Sequence, residues 1–429
     1  MAGHTSFYKG VNYRKNRNLP KTQRYIAIQS EEDIVSTIQG AREEGCCVRA
    51  LGSRGSKNEC YCTCGLTLES DLYSNILSFD GDTVTVQSGT TIGKLNEFLR
   101  HRGRVIPTCG EWAGGTVAGS VATGSHGGSG VHGIHSCSVR SIRMITADGV
   151  PLEIDRQSPM FDHIAVSLGL LGIISTITFK CVPAFHLELE TLVLPFERYL
   201  ETHDDLNRQH EFFSALWFPT ARRVMTFGAN RVPAPRETAS RKERYCAKTV
   251  ILNRISRNFK VNLLSDRLLA WTAVDHADRI LCPISRTSTR IKILRFLSRT
   301  WRELEVAVPL TQATESLVQL DRILAVNWRA LMSPVGLRAS AADAFSLSPC
   351  YGRDVFWIAI FYKANQEFGE ILRQFLEERE SRCHWGKHIP VSARYLRRQY
   401  PRWEEFRQAR LSLDPDGIFG NKFTRNFDL

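Results

Sequence analysis

Residues 114–130 read GGTVAGSVATGSHGGSG, and seven of these seventeen positions are glycine. Glycine adopts backbone conformations that other residues avoid and lets the chain approach a ligand closely. Exposed N–H groups in such a run form concavities that bind anions such as phosphate. Neither GxxxxGK(S/T) nor GxGxxG, two common phosphate fingerprints, occurs within the run. A flexible Gly/Ser linker is the alternative. Since Val117, Val121 and His126 are unusual in a linker, we predict a ligand-binding loop.

A β-α-β unit is predicted upstream of the glycine run. Tyr25 to Ile28 is strand-like, and Ser30 can cap a following helix whose first turn is acidic. Gly45 ends this helix, and Val48 to Leu51 form the second strand. That strand leads directly into a second loop of small residues, Gly52 to Asn58, which reads GSRGSKN.

The remaining elements of the first half follow from alternation and helix caps. A strand is predicted at Thr83 to Gln87, followed by a helix that starts after Thr91. Beyond the glycine run, the strand Ser141 to Thr146 ends in the turn Ala147-Asp148-Gly149, and the segment LGLLGII (168–174) precedes the alternating strand STITF.

These segments resemble, in order and spacing, the FAD-binding domain of flavoenzymes of the vanillyl-alcohol-oxidase type. The resemblance over residues 20–185 rests on VRALGSRGS, the glycine run, TADG and LGLLGII. Two motifs near the end match independently, HWGK at 384–387 and LDPDGIFGN at 413–421, while FFSALWFP, SPVGLR and LSPCYGRD match more loosely. The chain is most similar to the aldonolactone oxidase (L-gulonolactone and D-arabinono-1,4-lactone oxidase) and alditol oxidase branch.

The resemblance implies an α+β fold with two domains. Residues 1–183 would form the FAD-binding domain of PCMH type, residues 184–390 an antiparallel-sheet cap that binds substrate, and residues 391–429 a segment returning to the FAD domain. Within the cap, Ala344 to Pro349 and Val355 to Lys363 would be strands or their approaches. The helix Asn365 to Ser381 would pack on that sheet.

The resemblance also implies where FAD is held. The cofactor would lie on the two small-residue loops and on the end of the LGLLGII segment. The residues expected to bind it are Leu51, Gly52, Ser53, Arg54, Gly55, Ser56, Gly114, Gly115, Thr116, Gly119, Ser120, Thr123, Gly124, Ser125, His126, Gly172, Ile173 and Ile174.

By the same resemblance, the enzyme removes hydride from a carbon that bears a hydroxyl group and delivers it to flavin N5. A fixed cation stabilises the negative charge of the reduced flavin. Lys387 and Arg338 are the candidates, together with His384 as a catalytic residue. Ser120, Arg338 and Lys387 would contact substrate. The alternative for Lys387 and Arg338 is a surface salt bridge.

One departure from the family concerns the bond to the cofactor. Covalently flavinylated members carry a histidine in the first loop, whereas this chain has Gly55 at the matching position. We therefore expect FAD to be bound noncovalently. His126 of the second loop is not proposed as the linkage.

A second departure concerns the substrate pocket. The branch usually reads E-x-R where this chain reads Gly336-Leu337-Arg338, so a carboxylate that would hold or deprotonate the substrate hydroxyl is absent. The strand VFWIAIFY is also apolar around Ala359 and Phe361, where polyol-oxidising relatives carry polar groups. Because unpaired buried hydroxyls cost about 1–3 kcal/mol each, a free sugar lactone or alditol is a less certain substrate. His384 and His388 are the candidate replacement bases.

Composition bounds the remaining possibilities. The N-terminus lacks an apolar signal-peptide core, and no stretch of about 18 apolar residues would span a membrane. We expect a cytoplasmic location.

Residues 231–302 carry 17 Lys/Arg against five Asp/Glu, a net charge of +12 that equals that of the whole chain. This segment is a solvated basic face, a membrane or acidic-partner surface, or an anionic-substrate site. No nucleic-acid-binding motif accompanies it.

Twelve cysteines include a cluster in the first loop region: Cys46, Cys47, Cys60, Cys62 and Cys64. The CxCxC spacing differs from the two-residue spacing of zinc sites. We interpret the cluster as structural or incidental thiols, with a redox disulfide as the alternative, and expect no metal.

The sequence thus favours an FAD-dependent oxidoreductase acting on a sugar-derived, lactone or alditol-like hydroxyl, in ascorbate-type metabolism or a specialised biosynthetic role. Oxygen or another acceptor would receive the electrons. Two alternatives stay open. One is an oxidase of a lipid-linked or phosphorylated sugar at a membrane, and the other is a flavin-fold protein that has lost catalysis.

Overall fold

The structure is a computed structural model that describes residues 24–108, 110, 112–233, 301–331 and 334–429. Its strands are β1 (Arg24–Ala27), β2 (Val48–Leu51), β3 (Leu66–Glu69), β4 (Ile76–Phe79), β5 (Thr83–Gln87), β6 (Arg104–Val105), β7 (Val139–Ile145), β8 (Pro151–Asp155), β9 (Ile173–Lys180), β10 (Val182–Pro183), β11 (His186–Pro195), β12 (Phe212–Phe218), β13 (Arg223–Val232), β14 (Trp301–Pro309), β15 (Val335–Ser340), β16 (Val355–Lys363) and β17 (Arg382–Cys383).

The α-helices of the described residues cover the sheets. They are α1 (Glu31–Glu43), α2 (Ile92–Arg100), α3 (Val117–Ala122), α4 (Phe161–Ile164), α5 (Phe196–Gln209), α6 (Ala313–Asn327), α7 (Gln366–Glu378), α8 (Ala393–Gln399), α9 (Trp403–Leu413) and α10 (Lys422–Arg425). None of them is long and apolar enough to cross a membrane.

The predicted β-α-β unit is confirmed. Ser30 accepts a hydrogen bond from the N–H of Asp33, whose side chain accepts in return from Ser30, so a capping box starts α1. Gly45, at φ +62°, follows the end of the helix. Strands β1 and β2 both pair in parallel with β3, which lies between them and was not predicted.

A five-stranded antiparallel sheet completes the first half of the fold, in the order β4-β5-β9-β7-β8. The predicted strand Thr83 to Gln87 is β5, and Thr91 caps α2 as expected by accepting from the N–H of Lys94. The glycine run differs from expectation. It contains the six-residue helix α3, because Thr116 accepts from the N–H of Gly119 and so caps the segment VAGSVA.

A seven-stranded sheet forms the second half, in the order β11-β13-β12-β15-β16-β14-β17 with antiparallel pairs throughout. The predicted strand Val355 to Lys363 is β16, and Asn365 caps α7, which covers the sheet with Phe368, Leu372 and Phe375. Ala344 to Pro349, expected to be a strand or the approach to one, is a loop before β16, and all of it except Ala344 is buried. The Asp343 carboxylate accepts from the N–H of Phe345 and the hydroxyl of Ser348 and folds it into turns.

The C-terminal segment packs against the first parallel sheet. The buried guanidinium of Arg49 on β2 donates to four carbonyls, those of Cys60, Leu168, Gly169 and Phe419, at 2.6–3.2 Å. Asn421 donates from its amide to the carbonyls of a turn at residues 59–62. These contacts fix residues 418–421 against the loop that follows β2. The domain boundaries at residues 183 and 390 remain predictions.

The cysteines of the described residues are free thiols. Cys60 is buried beneath the Arg49 guanidinium, and burial raises the pKa of Cys62 to about 12, so neither is an activated thiolate. This agrees with the structural interpretation of the cluster. The basic segment falls almost entirely at residues 234–300, which lie outside the described part of the chain.

Candidate active site

The first small-residue loop has a left-handed residue and N–H groups outside the backbone hydrogen-bond network of the described residues. Arg54 adopts a left-handed conformation with φ +57°. Within the described residues, the N–H groups of Ser53, Arg54, Gly55 and Ser56 donate to no backbone carbonyl. A short run of unpaired N–H groups around a left-handed residue is an anion-binding nest. The expected FAD pyrophosphate therefore fits this loop.

The second loop contributes close approach more than free donors. The first N–H groups of α3 are already used, since Val117 donates to Thr90 and Ala118 donates to Ser88. A side chain at Gly52 would lie 2.2 Å from the Thr116 hydroxyl, so the two loops touch through glycine. This contact brings Gly52 and Thr116, both predicted to bind the cofactor, together.

Trp112 lies across the two loops. A Cβ atom at Gly55 would stand 2.0 Å from the Trp112 ring, and those at Gly114 and Gly115 would stand 2.9 Å and 3.3 Å from it. Gly55 therefore has no room for a side chain in this arrangement. Trp112 was not singled out from the sequence.

The HWGK turn docks on the first loop. Lys57 donates from its N–H to the Gly386 carbonyl at 2.7 Å. The Asn58 amide donates to the carbonyls of Trp385 and Lys387 at 2.6 and 2.7 Å. The loop with the anion nest thus positions the lysine that the sequence nominated for catalysis.

Glu305 of β14 lies at the centre of the charged groups brought together by this docking. Its carboxylate is buried and stands 3.4 Å from His126 Nε2, 3.7 Å from Arg338 and 3.8 Å from Lys387 Nζ. Lys387 also forms a close ion pair with Glu303, two residues earlier on the same strand. The structure therefore unites Lys387 and Arg338 with His126, and adds two carboxylates that sequence reasoning missed.

The charged groups of this cluster shift one another's pKa values. Burial by itself would raise the pKa of Glu305, but His126 and Lys387 hold it well below its usual range. Burial likewise disfavours a charge on Lys387, yet Glu303 and Glu305 together raise the pKa of Lys387. Glu305 and Lys387 are therefore both charged at neutral pH.

His384 is neutral in this setting. Its Nδ1 accepts a 2.9 Å hydrogen bond from the N–H of Gly386, so the ring proton is on Nε2. Burial lowers the pKa of His384 to about 3. The His126 ring stacks on the Trp357 ring, with 3.7 Å between the ring centroids. The Nδ1 atom of His126 is hydrogen-bonded to the Gly127 carbonyl.

Ligand atoms of His126, Glu305 and His384 lie within 4.8 Å of one another, a spacing compatible with a metal ion. In neutral His384, Nδ1 accepts a hydrogen bond and Nε2 carries the proton, so neither nitrogen offers a free lone pair to a metal ion. Lys387 and Arg338 add positive charge beside the same carboxylate. This donor set suits an ion-pair cluster better than a metal centre.

Other predicted residues lie around this centre. The Ser120 hydroxyl is hydrogen-bonded to His135 Nδ1 at 2.6 Å, and His388 Nδ1 to the Tyr362 hydroxyl at 2.9 Å. Ile173 and Ile174 are buried in β9. Residues of the second loop form hydrogen bonds within the loop. The Thr123 hydroxyl donates to the Gly119 carbonyl, and the Ser125 N–H donates to the Ser120 carbonyl. Gly124 is left-handed at φ +66°.

Comparisons with known proteins agree with this fold. A family model described as an FAD-binding domain matches residues 22–155, and one described as D-arabinono-1,4-lactone oxidase matches residues 177–427. L-gulono-1,4-lactone dehydrogenase of Mycobacterium tuberculosis is 29% identical over 416 residues, covering 92% of this chain and 94% of that protein. L-gulonolactone oxidase of Bos taurus is 26% identical over 439 residues, covering 97% of this chain and 98% of that protein.

Solved structures show the same architecture. Cholesterol oxidase from Brevibacterium sterolicum superimposes with a TM-score of 0.73 at 13% identity, covering 94% of each chain. At that identity the likeness concerns the fold alone, and it confirms the two-domain α+β flavoprotein architecture expected from the sequence.

Fold and site define a flavin-dependent oxidoreductase. The chain belongs to the D-arabinono-1,4-lactone oxidase family, because that family's model matches more than half of its residues. FAD is its cofactor and a CH–OH group is the electron donor class, as the sequence resemblance implied.

Proposed function

We propose that this protein oxidises a CH–OH group of an aldono-1,4-lactone or a closely related sugar-derived hydroxyl compound. Bound FAD would supply the two-electron chemistry, taking the substrate hydrogen as hydride at N5. The observation that carries the proposal is the docking of the HWGK turn on the anion-nest loop. It places Lys387 beside Arg338 and two carboxylates.

The charged cluster supplies polar partners that the apolar strand β16 does not. Glu303, Glu305, Arg338, Lys387 and His126 converge from four separate segments. A polyhydroxylated substrate needs a donor or acceptor for each buried hydroxyl. This convergence supports a lactone substrate of the kind in the names of the two relatives above.

Each cation has a distinct part in the proposed chemistry. Lys387 would stabilise the negative charge that the flavin ring carries when it is reduced. Arg338, whose planar fork suits oxygen pairs, would orient the ring oxygens of the substrate. His384, kept neutral, would donate from Nε2 and so position a substrate oxygen. Ser120 is a substrate contact only if its hydroxyl leaves His135.

We propose that FAD is bound noncovalently between the unit of residues 1–183, completed by residues 391–429, and the unit of residues 184–390. The contact of Trp112 with Gly55 supports noncovalent binding, because no nucleophile can stand at that position. Oxygen or another acceptor would reoxidise the flavin.

Neither alternative function is favoured. The charged pair of Glu305 and Lys387, with Arg338 beside the same carboxylate, argues against a scaffold that has lost catalysis. A membrane surface would depend on residues 234–300, which lie outside the described chain.

Anaerobic mixing tests the function directly. The purified, FAD-loaded protein is combined with L-gulono-1,4-lactone or D-arabinono-1,4-lactone, and flavin absorbance near 450 nm is followed. We expect bleaching by a lactone and none by the corresponding open-chain acid. A flavin that dithionite reduces but that no aldonolactone or alditol reduces would disprove the proposal.

A further inference from the structure

Glu305 lies in a cross-sheet row with two of the smallest residues in the sheet. Strand pairing aligns Glu305 with Ala359, and Ala359 with Gly336. Directly opposed residues of antiparallel strands project from the same face of a sheet. The Glu305 side chain therefore extends over a face on which Ala359 offers a methyl group and Gly336 offers nothing.

Gly336 is the position at which the substrate-binding carboxylate is missing. A Cβ atom at Gly336 would be 3.4 Å from the Ala359 Cβ, which is an ordinary contact. Glycine is therefore not required there by a close approach. Its effect is to leave open the space beside Arg338, toward which Glu305 reaches from two strands away.

The Glu305 carboxylate has acceptor capacity left over. Its three basic neighbours, His126, Arg338 and Lys387, stand 3.4 to 3.8 Å away. Charge-assisted hydrogen bonds are normally about 2.7–2.9 Å long. A buried carboxylate whose basic neighbours stand at these longer distances can accept a further short hydrogen bond from a ligand hydroxyl.

We propose that Glu305 accepts the hydrogen bond of the hydroxyl group that is oxidised and receives its proton, in place of the carboxylate missing at Gly336. This assignment rests on the proposed function. It makes Glu305 a catalytic residue that no sequence motif nominated.

The step balances in atoms and charge. The carbinol C–H bond breaks and its electron pair leaves as hydride to FAD, the O–H bond breaks and its proton passes to the Glu305 carboxylate, and the carbon–oxygen bond becomes a carbonyl. A protonated carbonyl is far more acidic than a carboxylic acid. A carboxylate stabilised by His126 and Lys387 is therefore still basic enough to take this proton.

Glu303 provides the matched control. It has the same chemistry and lies on the same strand two residues away, but its carboxylate is bound closely to Lys387 and its row partner is Phe361. It therefore holds Lys387 and has less capacity for a substrate hydroxyl.

The experiment compares anaerobic flavin reduction by an aldonolactone in wild type, Glu305→Gln, Glu303→Gln and the double variant Glu305→Gln with Gly336→Glu. With FAD retained, we expect Glu305→Gln to slow reduction by about 10²-fold or more, the scale of a lost general base. Glu303→Gln should lose clearly less. The double variant should recover at least about tenfold over Glu305→Gln, because Gly336→Glu returns a carboxylate to the same face.

Three results would overturn the assignment. These are a Glu305→Gln enzyme that reduces its flavin at the wild-type rate, equal losses in the two Gln variants, or no recovery in the double variant although it binds FAD. If Glu305→Gln does not retain FAD, the Glu305→Asp variant is measured in its place. It keeps the charge and should be slowed, whereas an unslowed Glu305→Asp enzyme would contradict a contact with substrate.

Failure of the proposed function has a different signature. In that case wild type itself shows no reduction by any aldonolactone, while dithionite still bleaches its flavin. A second readout is the pH profile. The acidic limb of the reduction rate should be present in wild type and in Glu303→Gln but absent from Glu305→Gln.

Discussion

Asn58 donates a 2.7 Å hydrogen bond from its amide to the backbone carbonyl of Lys387. A second bond from the same amide, 2.6 Å long, goes to the carbonyl of Trp385. Asn58 closes the loop that carries the anion nest, whereas Lys387 ends the turn that supplies the cation. One side chain thus couples the position of the cofactor loop to that of the charge in the active site.

Asn58→Ala should reduce catalysis while leaving most of the fold intact. Three hydrogen bonds of about 1 kcal/mol each are lost, two to the turn and one that the Asn58 oxygen accepts from the Cys60 N–H. The turn then keeps the bond from the Lys57 N–H to the Gly386 carbonyl on this loop, without the two from Asn58. We expect flavin reduction to slow by about tenfold, measured by anaerobic stopped-flow with saturating lactone. Asn230→Ala, which removes an exposed amide bonded to the Gln209 carbonyl, is the control. Equal rates in Asn58→Ala and wild type would show that the coupling has no catalytic role.

A single acid precipitation shows whether the flavin is bound covalently. Because Trp112 fills the space at Gly55, we expect all of the yellow colour to pass into the supernatant when the protein is precipitated with acid. Gly55→Ala should lower the occupancy of FAD in purified protein, since the added methyl group displaces the Trp112 ring. Colour that remains in the pellet would mean a covalent link at another residue.

Lys387→Met should retain FAD but slow its reduction by about 10²- to 10³-fold, the scale of a lost electrostatic stabiliser. The substitution also leaves Glu303 buried without its close partner, which costs stability. We therefore pair it with the double variant Lys387→Met and Glu303→Gln, which removes that charge. If the double variant is as stable as wild type and still slow, the loss is catalytic. Recovery of the rate would assign Lys387 a structural role only.

Stability should fall as the pH drops below about 6.5. Burial lowers the pKa of His384 to about 3 and that of His135 to about 4. In this window the unfolded chain takes up protons that the folded protein does not, so protonation favours unfolding. Two such histidines would remove roughly 3 kcal/mol of unfolding free energy between pH 6.5 and 5. Urea titrations with fixed FAD test this.

The His135→Gln variant isolates one of the two contributions. Its Ser120 contact can be kept by an amide, and its loss of stability over the same interval should be smaller than that of wild type by roughly 1.5 kcal/mol. An unfolding free energy that is equal at pH 6.5 and 5 in wild type would contradict the linkage.

Local signals account for the parts of the fold that were predictable. The capping residues Ser30 and Thr91 act within one or two turns of chain, and the corresponding elements match the predictions closely. At Ala344 to Pro349, expected to be a strand or the approach to one, the side-chain hydrogen bonds of Asp343 fold the chain into turns.

Residues of the site could be predicted only where they lie in a recognisable sequence motif. Lys387 and Arg338 lie in recognisable segments, and the structure brings both to one carboxylate. Glu305 carried a weaker signal, two acidic residues alternating with apolar ones in the strand WRELEVAVP. Its relation to Gly336 depends on β16 lying between β14 and β15. Pairing between distant strands follows from the packing of the whole sheet, which no local pattern specifies.

Arg49 holds the carbonyl of a residue 370 positions further along the chain, Phe419. During synthesis at about 5–20 residues per second, roughly 20 to 70 seconds separate the two. Throughout that interval the Arg49 guanidinium lacks one of its four carbonyl acceptors. The carbonyls of the turn at residues 59–62 likewise lack the Asn421 amide as their donor. The flavin half of this protein is therefore completed late on the ribosome, and a chain interrupted before these last residues would release a nascent fold with an unsatisfied charge at its centre.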